Sequence, residues 1–113
     1  DGNRESAVKD LQLLAKDSRT VFGAESQYLL ADTYLTAKEY DKAETQVLNF
    51  MKQGTPHEYW MAKALIVLAD SYAGKGDNFQ ARQYIESLKA NYKGVEDDIA
   101  TAIEDRLSKY AAN

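Results

Sequence analysis

Cysteine is absent from this 113-residue chain, which excludes disulfides and thiolate metal centres. The same absence suits a reducing or an oxidising compartment, so it leaves location open. Histidine occurs once, at His57, and proline once, at Pro56. One imidazole without a thiol cannot supply the usual zinc set. No apolar run approaches the roughly 20 residues that a bilayer-spanning helix needs, so no membrane insertion is expected. Nor do strand-favouring residues alternate over a long run, which argues against a sheet. Basic charge is in the minority, 14 Lys and Arg against 18 Asp and Glu, for a net charge of −4. Nucleic acid rewards clustered Lys and Arg, so it is not the expected partner.

The motifs of common catalytic sites are missing too. Gly74-Lys75-Gly76-Asp77 is too short for a phosphate-cradling loop and reads as a turn between helices. The acidic run Glu96-Asp97-Asp98 lacks the spaced oxygens and the glycine of a calcium loop, and suits a helix start instead. His57 has no triad partner at a diagnostic spacing and reads as an exposed residue of a first helical turn. The expectation is therefore no enzyme, no metal and no cofactor.

What the chain does have is a period. Tyr34, Tyr72 and Tyr110 are evenly spaced along it, and Ala24, Ala62 and Ala100 keep the same step. Leu30-Ala31-Asp32-Thr33-Tyr34 matches Leu68-Ala69-Asp70-Ser71-Tyr72, and Ala43 and Ala81 follow each motif at equal distance. A fixed period of this size, within the range of about 20–50 residues, marks a repeat array. Residues 17–54 and 55–92 form two adjacent copies, each expected to fold as two helices within a single domain spanning 1–113. In the second copy, Thr55-Pro56-His57-Glu58 reads as a capping box with proline at the first helical position, where its missing N–H is not needed. The helix behind it carries Trp60, Ala64, Leu65, Leu68, Ala69 and Tyr72 as one apolar stripe. Asp77 or Asn78 can start the next helix, with Ala81, Tyr84, Ile85 and Leu88 inward. The first copy repeats this with Phe22, Leu30, Ala31 and Tyr34, then Ala43, Val47 and Phe50, and Gly54 closes it.

At the front, residues 4–16 place Ala7, Leu11 and Leu14 at the spacing of Ala43, Val47 and Phe50, as the second helix of a preceding partial repeat would. Its uncovered face predicts either further repeats upstream or self-association through this helix. The chain opens Asp1-Gly2-Asn3, as a processed protein or a fragment would. At the back, a helix over 95–111 keeps Ala100, Ile103 and Tyr110 in phase. It carries Arg106 where Leu30 and Leu68 stood, a polar exchange suited to a solvent-facing terminal cap.

The motif Leu30-Ala31-Tyr34 with Tyr40, Ala43 and Val47, and again Leu65-Leu68-Ala69-Tyr72 with Ala81, Ile85 and Leu88, resembles the tetratricopeptide repeat. The resemblance covers nearly the whole chain. Its departures are the long step, Gln27 and Asn78 at places usually held by large residues, and the missing late proline. The resemblance implies an all-α fold, an α-solenoid of antiparallel helix pairs with about six helices wound as a right-handed superhelix. Such long repeats are similar to those of bacterial cell-envelope members, which points to a periplasmic or envelope-associated location over the cytoplasm.

The family lines a concave groove with the first helix of each repeat. Carried over, the groove positions are Glu25, Tyr28, Asp32, Leu35 and Thr36, then Lys63, Ile66, Asp70, Ala73 and Gly74. Members that clamp a C-terminal carboxylate commonly use asparagine where this chain has Asp32 and Asp70. A negative groove repels a carboxylate and favours a basic or amide-rich segment. The resemblance thus implies a protein–protein interaction module that ends a longer array. Tyr28 and Ile66 would give apolar contact, and Asp32 and Asp70 either charge selection or merely a pairing with Lys63 or another local cation. Two alternatives are a purely structural cap of a longer solenoid and a regulatory domain attached to an enzyme.

Overall fold

In the computed structural model, residues 2–110 are described and all regular structure among them is helical. Six helices follow in order: α1 (Gly2–Leu14), α2 (Val21–Thr36), α3 (Tyr40–Gln53), α4 (Glu58–Gly74), α5 (Asn78–Asn91) and α6 (Asp97–Lys109). Asp1 and residues 111–113 lie outside the described set, so the expected domain limits at 1 and 113 and a last helix reaching 111 fall partly beyond it. Helices α3 and α5 start and end one period apart, Tyr40 against Asn78 and Gln53 against Asn91, so the sequence period is a period of helices.

Each helix packs on the next, and α4 also touches α2 and α6, which makes it the centre of the molecule. Two apolar clusters flank it. Ala24, Ala31, Ala43, Val47, Phe50, Ala64, Val67 and Leu68 join α2, α3 and α4. Ala62, Ile66, Ala69, Ala81, Ile85, Leu88, Ile99, Ile103 and Tyr110 join α4, α5 and α6. The four alanines of the shared motif, Ala31, Ala43, Ala69 and Ala81, are all fully buried. Their small side chains let the helix backbones approach, and larger ones would overpack the crossing.

The first helix of each copy ends in the same turn. The Asp77 N–H donates to the Tyr72 carbonyl and the Gly76 N–H to the Ala73 carbonyl, both at 2.9 Å. Glu39 and Lys38 make the matching bonds to Tyr34 and Leu35, also at 2.9 Å. This double closure needs one residue in the left-handed region. Gly76 takes it at φ 90°, and in the other copy Lys38 takes it at φ 61°. Asp77 then caps α5 by accepting from the Gln80 N–H.

Several sequence expectations are corrected. Helix α4 starts at Glu58, after Pro56 rather than at it. Thr55 accepts from the His57 N–H and so closes a tight turn ahead of the helix, leaving His57 at the N-cap. His57 is half-buried, and its Nε2 lies 2.9 Å from the Arg19 carbonyl, tying this corner to the one before α2. Ser18 strengthens the tie by donating to the Gly54 carbonyl at 2.8 Å. On α1 the half-buried residues are Arg4, Val8 and Leu11, with Ala15 buried just beyond, whereas Ala7 and Leu14 face solvent. On the same face the Arg4 guanidinium pairs with the Glu39 carboxylate. Phe22 is exposed rather than inward. Gln27, in place of a large apolar residue, is buried: it donates to the Ala15 carbonyl at 2.8 Å and accepts from Gln46 at 2.5 Å. On α6 the inward stripe is Ile99, Ile103 and Tyr110, while Ala100 is exposed, so the alanine period stops after Ala62.

Candidate functional site

The largest departure from the repeat creates the most specific local geometry. Arg106, expected to face solvent, instead folds back over α4. Its Nε lies 2.9 Å from Asp70 Oδ1 and its Nη2 2.9 Å from Oδ2, a two-pronged grip on the carboxylate. The Tyr110 hydroxyl donates to Asp70 Oδ1 at 2.5 Å. Burial works against the charge on Arg106, but the hydrogen bonds and attraction from Asp70 outweigh it and raise its pKa. Tyr110 is pushed well above the ordinary phenol range, first by burial and then by its bond to the Asp70 carboxylate.

This clamp closes one end of a cleft of about 140 Å³ between α2, α4 and α6. Tyr28, Asp32, Lys63, Ile66 and Asp70, five of the six residues singled out from sequence, line it together with Asp98 and Arg106. Glu25, the sixth, does not line it. The periodicity explains the convergence: residues one period apart on α2 and α4 occupy equivalent faces of adjacent, packed helices.

Their roles differ from those expected. Ile66 is 7 % exposed and belongs to the core shared with α5 and α6. Only a small part of its side chain reaches the cleft wall. Asp70 is already paired, with Arg106. Asp98, which sequence reading assigned only to a helix start, accepts from the Tyr59 hydroxyl at 2.6 Å and lies 3.9 Å from Lys63 Nζ. The Tyr59 hydrogen bond, helped by Lys63, holds the Asp98 carboxyl below its usual range. Asp32 alone among the cleft's described carboxylates has no hydrogen-bond or ion-pair partner.

The aromatic wall is also ordered. Trp60 lies 5.8 Å from Tyr28 and 4.9 Å, edge on, from Tyr59. The Lys63 ammonium stands 5.1 Å above the Tyr28 ring, within reach of its negative face. Burial and the nearby Asp32 charge push the Tyr28 hydroxyl pKa up, which keeps it protonated. Of the remaining mapped positions, Gly74 is taken by packing: a Cβ there would fall 2.4 Å from the Tyr40 ring. Leu35 joins the cleft's edge, while Thr36 and Ala73 face a separate hollow beside Tyr40.

At about 140 Å³ the cleft is well below the few hundred Å³ typical of small-molecule sites. Its scale is that of one side chain. Among the described residues no group of three His, Cys, Asp or Glu side chains is placed to hold a metal, and no helix is long and apolar enough to cross a membrane. Comparison with known proteins finds no matching family model, curated protein or solved structure.

Proposed function

We propose that this chain is a non-enzymatic protein-interaction module, a tetratricopeptide-type α-solenoid that holds a peptide segment of a partner along the α2–α4–α6 face. The anchor is a lysine or arginine side chain of that segment, seated in the cleft with its charge at Asp32. The observation that supports this reading is the unpaired Asp32 carboxylate in a cleft whose other acids already have partners. A cation with an aliphatic stem complements it: Ile66, Val67 and Ile99 offer apolar contact to the stem, and Tyr28 offers a ring face to the charge. The envelope location and an array longer than these repeats belong to the same reading.

Trp60, the only tryptophan, borders the cleft through Tyr28 and provides an intrinsic reporter. The test titrates the chain with blocked pentapeptides that carry central Arg, Lys, Gln or Glu and follows Trp60 fluorescence. Arg and Lys peptides are expected to bind, Glu not at all. Asp32→Asn should weaken the cationic peptides about tenfold, or roughly 1.4 kcal/mol, the lower end for a charge-assisted hydrogen bond. Equal binding of Arg and Glu peptides, or none of either, would sink the proposal. The structural-cap reading draws on the outer face of α6, where Thr101, Glu104, Asp105 and Ser108 are exposed. It predicts no binding by any peptide.

A further inference from the structure

Helices α3 and α5 both lie against α4 but not against each other, so a gap runs between them along one face of α4. The first copy has the same gap, between α1 and α3 over α2. There it is closed by amides. Gln27 of α2 donates to the Ala15 carbonyl at 2.8 Å and to Gln53 Oε1 at 3.2 Å, and accepts from Gln46 at 2.5 Å. One period later those three glutamines are Leu65, Tyr84 and Asn91, and none of them bridges the gap. Leu65 has no polar group, Tyr84 stacks on Tyr72 at 5.6 Å, and the Asn91 amide donates to the Ser87 carbonyl of its own helix at 2.8 Å.

What remains is a hollow of about 260 Å³. It is walled by α3 and α5, floored by α4, and shares no residue with the Asp32 cleft. Stacked repeats touch only their neighbours, so repeats added at either end of the chain would leave it open.

The lining sets the chemistry of its occupant. Met61, Ala62 and Leu65 form an apolar floor, and Met51, 40 % exposed, stands at the mouth. The chain's two methionines thus meet in one hollow. Unbranched thioethers adapt to what they touch, and their sulfurs make favourable contacts with aromatic rings. The rings of Tyr84 and Tyr92 add flat walls, and both are held in place. Tyr84 rests on Tyr72, and the Tyr92 hydroxyl donates to the Glu96 carboxylate. An apolar cavity of about 150 Å³ holds one benzene ring, so this hollow has room for two fused rings. Among the described residues the only charged side chain lining it is the exposed Glu58, whose carboxylate has no ion-pair or hydrogen-bond partner. A carboxylate at the edge repels anions and suits an ammonium.

We infer that this hollow binds a small aromatic amine, with a bicyclic ring between the methionines and the tyrosines and an ammonium on a short arm at Glu58. The site is independent of the peptide reading of the Asp32 cleft.

The methionines provide the test. Protein isotope-labelled at the methionine methyls gives two native signals, from Met51 and Met61, and both lie in the site. Titration with naphthylethylamine is expected to shift the two signals together and to saturate. Naphthylacetate, the same ring with a carboxylate, should bind about tenfold more weakly, and Glu58→Gln should remove that preference. Ser87→Phe, at an exposed position on the wall, should fill the hollow and abolish binding. Circular dichroism would verify that the variants remain folded. Asp32→Asn should leave the affinity unchanged, which separates this hollow from the α2–α4–α6 cleft. Absence of a saturable shift, equal binding of the amine and the carboxylate, or undiminished binding by Ser87→Phe would overturn the inference. So would binding about tenfold tighter by a blocked Trp–Lys dipeptide than by naphthylethylamine, because a side chain of a protein partner would then be the occupant.

Discussion

Replacing Arg106 with methionine should destabilise the protein by about 2 kcal/mol, although the substitution restores the apolar character that Leu30 and Leu68 have at this position. The figure follows from the geometry of the clamp. Arg106 makes a two-pronged contact with Asp70 at 2.9 Å, and the two side chains are 27 % and 19 % exposed. Fully exposed pairs contribute about 0–1 kcal/mol, and removing one partner of a fully buried pair costs about 3–5 kcal/mol. The clamp lies between these limits, near the roughly 1.5–3 kcal/mol of hydrogen bonds to charged groups. Methionine keeps much of the stem's packing, so the loss falls on Asp70, left with the Tyr110 hydroxyl as its remaining protein partner.

A double-mutant cycle isolates the pair. Urea unfolding of wild type, Arg106→Met, Asp70→Asn and the double variant should give a coupling energy of about 1–2 kcal/mol. Thermal melts of Arg106→Met should fall by roughly 8 °C, taking about 4 °C per kcal/mol for a domain of this size. Because the pair is mostly sheltered, the coupling should survive roughly 0.5 M salt, which would erase an exposed pair. A coupling energy below about 0.5 kcal/mol, the floor for residues in contact, would refute the reasoning. It would mean that Arg106 is a surface side chain drawn to Asp70 without consequence, and that the last helix is held by Ile99, Ile103 and Tyr110 alone.

Two further predictions concern the frame. Lys38→Gly should stabilise the chain by up to about 1 kcal/mol by relieving a side chain at φ 61°, while Gly76→Ala should cost about 1–2 kcal/mol at φ 90°. Urea midpoints for the two variants should move in opposite directions, and a downward shift for both would contradict the shared turn. At alkaline pH, tyrosine ionisation should unfold the protein. Tyr59 is pushed up to about 12, first by its hydrogen bond to Asp98, and Tyr72 to about 12, first by burial and then by its bond to Glu44. Folding therefore favours the protonated phenols, so their contribution is intact below about pH 10 and is lost as pH rises toward 12. Stability measured from about pH 8 upward should hold to about pH 10 and then fall together with the rise in tyrosinate absorbance.

The period made the helices and most of the cleft legible. Residues one period apart must occupy equivalent places once the helices repeat, which brought Tyr28 and Asp32 of α2 to the same cleft as Lys63, Ile66 and Asp70 of α4. It was silent where the repeat changes its chemistry. Sequence spacing put Arg106 on an apolar stripe but could not show that a guanidinium on α6 reaches back to a carboxylate on α4. That contact depends on the crossing of two helices, and no local pattern encodes it. The face of α1 was misread for the same reason. Ala7, Leu11 and Leu14 form a plausible stripe by themselves, but the packing of α1 on α2 leaves Ala7 and Leu14 in solvent and turns Val8 and Ala15 inward. Gln27 looked like a defect in the motif and proved to be a buried junction between α1, α2 and α3.

These misreadings share a physical cause with consequences for recognition. Asp32 and Asp70 occupy equivalent positions, and an undistorted repeat would present both charges to a ligand. The step from Leu68 to Arg106 breaks that equivalence by supplying Asp70 with a cation from the chain itself. Asp32 has the neutral Tyr28 and the distant Lys63 beside it, and Lys63 is drawn toward Asp98 instead. The result is one available charge in place of two. It follows that Arg106→Met should do more than loosen the fold. By freeing Asp70 it should create a second cationic subsite, so that a peptide with two basic residues gains affinity while one with a single basic residue does not. Fluorescence titration of the variant with both peptides distinguishes this from a general loosening, which would weaken both. A variant that lost affinity for each would place the specificity in the shape of the cleft and not in its charge.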